Sequence, residues 1–87
     1  MNLDDRQFLN GLGVRLRDLR LARNLTQAGL AEQCDLHRTF IGSVERGERN
    51  VSILNLRLIA RILRVTLSEV LDESTPPRSK SAKVGGH

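Results

Sequence analysis

The 87 residues allow one small domain, and a net charge of +4, one cysteine, two phenylalanines and no tryptophan or tyrosine narrow what it can be. A disulfide framework is excluded, and the core must be built from Leu, Ile and Val. No apolar run reaches the ~18 residues that a membrane span needs, and the acidic start MNLDDRQ is no signal peptide, so a cytoplasmic protein is expected.

The charge is unevenly placed. Residues 1–73 hold 11 Arg against 10 acids, a balance of +1, while Arg78, Lys80 and Lys83 add +3 within residues 74–87. Attraction to a polyanion must therefore come from where the arginines sit rather than from bulk charge.

Residues 1–7 are polar and read as a flexible N-terminus. A first helix is expected from Phe8 to Arg23, with Leu12, Leu16 and Leu19 as its inner stripe and Arg15, Arg17 and Arg23 off it. Gly11 and Gly13 weaken its start. After a turn at Asn24 and Leu25, Thr26 can cap a helix from Gln27 to Cys34. Leu30 and Cys34 are four apart and share one face, and Ala31 is small enough for two helices to cross closely. Cys34 reads as a small buried hydrophobe. Asp35 can take the left-handed conformation that a sharp turn at Asp35-Leu36 needs.

The third helix is expected from Arg38 to Arg46, with His37 near its cap and Gly47 placed to stop it. At about 100° per residue, Ile41 and Val44 define its inward side. Thr39, Ser43 and Arg46 then point outward, with Gly42 beside them and Arg38 at the flank. Phe40 falls at the edge of the apolar side. Glu45 falls on the inward half, where a carboxylate needs a partner. Polar outward faces are usually only solvated. This one lacks a carboxylate, carries a glycine that permits close approach, and comes after a tight turn between two short helices. That is the layout of a helix-turn-helix, whose second helix enters the major groove of DNA.

Glu48 to Val51 form a loop carrying Arg49 and Asn50. Ser52 can cap a fourth helix, Ile53–Leu63, with two apolar stripes: Leu56, Ile59 and Leu63, and Leu54, Leu58 and Ile62. A surface helix of a monomer needs only one stripe. Thr66 and Glu69 form a capping box for a fifth helix, Leu67–Asp72, with Val70 and Leu71 apolar. Residues 74–87, STPPRSKSAKVGGH, read as a disordered basic tail.

Between Leu12 and Leu71 the chain resembles the Xre/Cro-like helix-turn-helix family, the fold of the lambda and 434 phage repressors. The matching residues are LTQ-x-x-LA from Leu25 to Ala31 and I-x-x-V-E-R-G from Ile41 to Gly47. The segment DLHRTFIGSVERGERNVSI is similar, more narrowly, to the controller proteins of restriction–modification systems, through R-T-aromatic-I and then E-R-x-x-R-N. Leu, Ile and Val recur at helical spacings and no stretch alternates at period two, so an all-α fold is expected, and the resemblance implies a compact five-helix, lambda repressor-like domain over residues 8–73. It implies that Arg20 pairs with Glu45, which answers the inward carboxylate. The outward face itself would put Arg38, Thr39 and Ser43 toward base edges, and the resemblance implies base reading by Arg38, Thr39 and Arg49. Phe40 and Asn50 would lie at the sugar-phosphate edge, and Gln27 and Arg46 would contact phosphate. Two departures stand out: Gly29 replaces the acid that completes the family's capping box, and His37 replaces a Ser or Thr cap.

No catalytic constellation is visible. His37 and His87 lack a Cys or acid at metal spacing, and Asp4 and Asp5 are adjacent, so they cannot share a helix face. No cofactor or small-molecule ligand is expected. The sequence points to a transcription regulator that binds double-stranded operator DNA as a homodimer, because one helix reads only a few base pairs. The dimer surface is expected on Leu54, Leu58, Ile62, Val65, Leu67 and Val70, unless the fifth helix folds back over the second stripe. A phage-type repressor and the antitoxin of a toxin–antitoxin pair are alternatives within DNA binding. A protein-interaction module without DNA binding is the alternative outside it.

Overall fold

A computed structural model describes residues 2–74. Five helices run in order: α1 Leu3–Ala22, α2 Gln27–Cys34, α3 Arg38–Glu45, α4 Ile53–Leu63 and α5 Leu67–Leu71. No strand occurs among the described residues. Most of the expected basic tail, residues 75–87 with Arg78, Lys80, Lys83 and His87, lies outside the described residues, as does Met1.

The N-terminus departs from the sequence expectation. α1 begins at Leu3, five residues before Phe8, because Asn2 caps it and accepts from the Asp5 amide at 2.8 Å. Asp4 and Asp5 then lie in the first turn, where a carboxylate favours the positive end of the helix dipole. Capping chemistry thus turns most of the segment expected to be flexible into helix. The other caps act where the sequence places them. Thr26 accepts from the Gly29 amide at 2.8 Å, Ser52 accepts from Asn55, and Thr66 with Glu69 closes a capping box.

Four of the helices end in the same way. Asn24, Asp35, Gly47 and Arg64 all have left-handed backbones, with φ of 59°, 57°, 75° and 62°. After each, the next amide reaches back five residues: Leu25 to Arg20, Leu36 to Ala31, Glu48 to Ser43 and Val65 to Ala60. These bonds satisfy carbonyls that the helix end leaves open. Only one of the four stops is glycine, so the other three accept a steric penalty in exchange for a fixed chain direction.

The core is aliphatic. Leu12, Leu16, Leu30, Ile41, Leu56, Ile59, Leu63 and Val70 are all buried, and Cys34 and Ala31 fill the spaces between α2 and its neighbours. α3 packs on α1 and α2, α4 packs on α2, and α5 packs on both α1 and α4. Arg15 ties α1 to α5 by donating from Nε to the Val70 carbonyl at 2.7 Å.

Val70 corrects the expected dimer surface. It is 0% exposed, because α5 folds back on α1 and α4 and spends that side chain on the core. Leu58, Ile62, Val65 and Leu67 are half-buried against the same core, whereas Leu54 is 70% exposed and its neighbour Ile53 58%. The second stripe is therefore partly buried within the chain and open at its N-terminal end.

Candidate nucleic-acid interface

α3 is held to the rest of the molecule on three sides. Ile41 and Val44 are buried in the core. Gly13 of α1 lies so close to the end of α3 that a Cβ there would meet the Glu45 carbonyl carbon and the Val44 oxygen at 2.7 Å. The glycine that weakens α1 by propensity is thus what lets α1 and α3 cross.

The third anchor is ionic. Arg20 donates from Nε to Glu45 Oε2 at 2.7 Å and from Nη2 to Glu45 Oε1 at 3.0 Å. Its Nη1 donates to the Leu25 carbonyl at 2.7 Å, and Gln27 Nε2 donates to Glu45 Oε1 at 3.0 Å. Both side chains of the ion pair are nearly buried. Every nitrogen of the guanidinium has an acceptor, and both carboxylate oxygens have donors, which is the condition for a buried ion pair to be tolerated. Gln27 gives one of its two amide hydrogens to Glu45 while sitting half-buried at the start of α2. It therefore links the mouth of the helix pair to the buried anchor.

The outer side of α3 is open at its start. Arg38 and Thr39 are exposed, and so are Arg46, Arg49 and Asn50 at its far end. His37 caps α3 through its backbone conformation alone and makes no side-chain cap bond. Arg46 pairs with Glu48 at 3.1 Å, with both side chains more than half exposed. Asn50 lines a cleft with Asp5, Phe8 and Leu9 of α1.

Two outward residues are not where the helical angle puts them. Ser43 is buried at 9% exposure, so it is no open base-reading hydroxyl. Its hydroxyl donates to the Phe40 carbonyl at 2.8 Å and accepts from Arg49 Nε at 3.0 Å. The physical reason is the loop: Gly47 in the left-handed form reverses the chain and returns Arg49 over that side of the helix. The Arg49 guanidinium also lies 5.3 Å from the centre of the Phe40 ring. Gly42 is likewise buried, with Gln27 Oε1 and Arg46 Nη1 each 3.3 Å from where its Cβ would stand, closer than ordinary van der Waals contact. Its role is to let Gln27 approach α3. Neither effect is visible in a projection of α3 alone, which contains neither the loop after it nor the helix before it.

Among the described residues no group of His, Cys, Asp and Glu could hold a metal, and no helix is long and apolar enough to cross a membrane. Cys34 is free and buried, and burial pushes its thiol up from its ordinary value.

The fold and much of the sequence are similar to those of known proteins. A helix-turn-helix family profile matches residues 16–70. The chain is 45% identical over 64 residues to the control protein C.BamHI of Bacillus amyloliquefaciens, covering 72% of this chain and 79% of that one. The crystal structure of the restriction–modification controller protein C.AhdI from Aeromonas hydrophila superposes with a TM-score of 0.70 at 44% identity, covering 71% of this chain and 94% of that one. The immunity repressor of Bacillus phage phi105 is 32% identical over 72 residues, covering 83% of this chain and half of that one.

Proposed function

The chain belongs to the Xre/Cro-like helix-turn-helix family, and we propose that within it the protein is a transcription regulator that binds operator DNA as a homodimer and controls a restriction–modification system. The observation that carries this reading is the 45% identity to a control protein over 64 residues. The geometry supports it. α3 is rigidly anchored by Ile41, Val44 and the Arg20–Glu45 pair, while Arg38 and Thr39 stand exposed at its start.

Arg38, Thr39 and Arg49 read base edges in this proposal, since a guanidinium can hold guanine by two hydrogen bonds and a threonine offers a methyl to thymine. Gln27, Arg46, Asn50 and the Phe40 edge touch the sugar-phosphate backbone and fix register. The folded part has almost no net charge, so this placement rather than bulk attraction gives affinity. The dimer forms around Leu54, with Leu58, Ile62, Val65 and Leu67 at its margin. An exposed leucine and isoleucine side by side on α4 support a partner there.

The test is selection of duplexes from a randomised pool by the full chain. The expected outcome is a twofold-symmetric sequence with half-sites about one helical turn, roughly 34 Å, apart. Leu54→Asp should give a folded monomer by sedimentation that no longer shifts that duplex. A chain that enriches no sequence would end the reading. The identity to the phi105 immunity repressor favours a phage-type repressor as the second reading. The genes beside this one separate the two: a methyltransferase and an endonuclease mark a controller, and phage genes mark a repressor.

A further inference from the structure

We propose that Ser43 and Phe40 form a seat that holds Arg49 in its DNA-reading pose before DNA arrives, so that Ser43 is a positioning residue for sequence discrimination although it touches no base. The proposal rests on the DNA-binding reading above and adds to it a role for a residue buried beneath the interface.

Three observations converge on the seat. The Ser43 hydroxyl is committed on both sides, donating to the Phe40 carbonyl at 2.8 Å and accepting from Arg49 Nε at 3.0 Å. A serine hydroxyl often bonds back to its own helix, and that bond alone would carry no further meaning. Here it aims the oxygen lone pairs at the arginine. Second, the Arg49 guanidinium lies 5.3 Å from the Phe40 ring centre, within cation–π range, so the ring restricts the plane that the hydrogen bond leaves free. Third, the loop is itself fixed. Gly47 is left-handed, and the Glu48 amide bonds to the Ser43 carbonyl at 3.0 Å, so backbone and side chain both tie residues 47–49 to residue 43.

The chemistry of arginine makes this contact informative. Nε is the donor spent on Ser43. The Nη1–Nη2 edge, which can hold the O6 and N7 of guanine together, is left out of that bond. An exposed arginine on a loop would otherwise lose much rotamer freedom on binding, and ordering it beforehand lowers that cost. The seat also sets the distance between Arg49 and the readers Arg38 and Thr39, because Phe40 and Ser43 belong to the same helix as those two. Two parts of the interface, loop and helix, are thereby held in one register.

The experiment uses the full chain, the tightest duplex it selects from a randomised pool, and a scrambled duplex of equal length. Ser43→Ala should weaken binding to the selected duplex by roughly three- to tenfold, the worth of one hydrogen bond. Binding to the scrambled duplex should change by less than about twofold, because phosphate contacts are untouched. Ser43→Thr, which keeps the hydroxyl, should restore most of the discrimination. In an Arg49→Ala background, Ser43→Ala should have no further effect on the selected duplex. Equal losses from Ser43→Ala with and without Arg49 would overturn the seat, and so would an unchanged ratio between the two duplexes. A wild-type chain that enriches no sequence removes the DNA-reading proposal and the seat with it, whereas enrichment with an indifferent Ser43→Ala removes the seat alone.

Discussion

The two sides of α3 use the same residue types to opposite ends. On the inner side, Arg20 and Glu45 meet at 2.7 Å with side-chain exposures of 8% and 4%. On the outer side, Arg46 and Glu48 meet at 3.1 Å with exposures of 61% and 58%. Glu45 and Arg46 are neighbours in sequence, yet one is locked and the other is loose. An ion pair in water contributes little, because solvent screens it and two long side chains must be ordered to make it. A buried pair contributes little relative to an apolar core, but losing one member strands a charge. The inner side is therefore brittle and holds the helix, and the outer side is replaceable and leaves its charges in solvent.

Breaking the inner side should have the largest effect. Glu45→Ala should cost about 3–5 kcal/mol in denaturant unfolding, because Arg20 is left buried without its carboxylate and Gln27 loses its acceptor. Arg20→Met with Glu45→Leu should cost clearly less than the two single changes summed. Strict additivity would show that the two residues do not act on each other. Gly13→Ala is expected next, at about 1–3 kcal/mol, since its Cβ would press on the backbone of Glu45 and Val44 and no flexible side chain can yield. A rise in melting temperature, as helix propensity alone predicts, would show that α1 and α3 do not cross there.

On the outer side the expected ranking reverses between stability and binding. Arg38→Ala should leave the melting temperature nearly unchanged, because the side chain is exposed. It should cost about 1–3 kcal/mol on the selected duplex and relax specificity at one base position. Equal losses on selected and scrambled duplexes would make Arg38 a phosphate contact instead.

The contrast between the two sides also separates what is legible in the sequence from what is not. The helices, the caps at Thr26, Ser52 and Thr66, and the left-handed stops at Asp35 and Gly47 depend on residues a few positions apart, and those signals are local. The inner side of α3 is visible through Ile41, Val44 and the misplaced carboxylate Glu45. Ser43 reads as outward because its burial depends on a loop that returns over the helix, and no helical projection includes that loop. Gly13 reads only as a weak helix former, since the backbone it meets belongs to a helix distant in sequence. Asn2 is hidden in a polar terminus, although an Asn before an acidic turn is a capping signal. Val70 counts toward a dimer surface by its spacing, but spacing does not give the direction in which α5 folds.

The smallest expected effect is also the most diagnostic of the outer side. Glu48 is the carboxylate beside the exposed end of α3, paired with Arg46 in water. Glu48→Gln keeps the shape and removes one negative charge. Stability should change by no more than about 0.5 kcal/mol, because a screened surface pair is nearly neutral. DNA binding should tighten. Arg46 contacts phosphate in the proposed interface, so the carboxylate paired with it would stand near phosphates, and its repulsion is worth up to about 1 kcal/mol at a few ångströms in high dielectric. Arg46, no longer shared, becomes fully available to phosphate. The gain should be up to about fivefold, equal on selected and scrambled duplexes, and smaller at high salt. Titrations of both duplexes at two salt concentrations measure all three features. A gain confined to the selected duplex would place Glu48 against base edges, and a loss of affinity would mean that the Arg46–Glu48 pair orders the interface rather than competing with it.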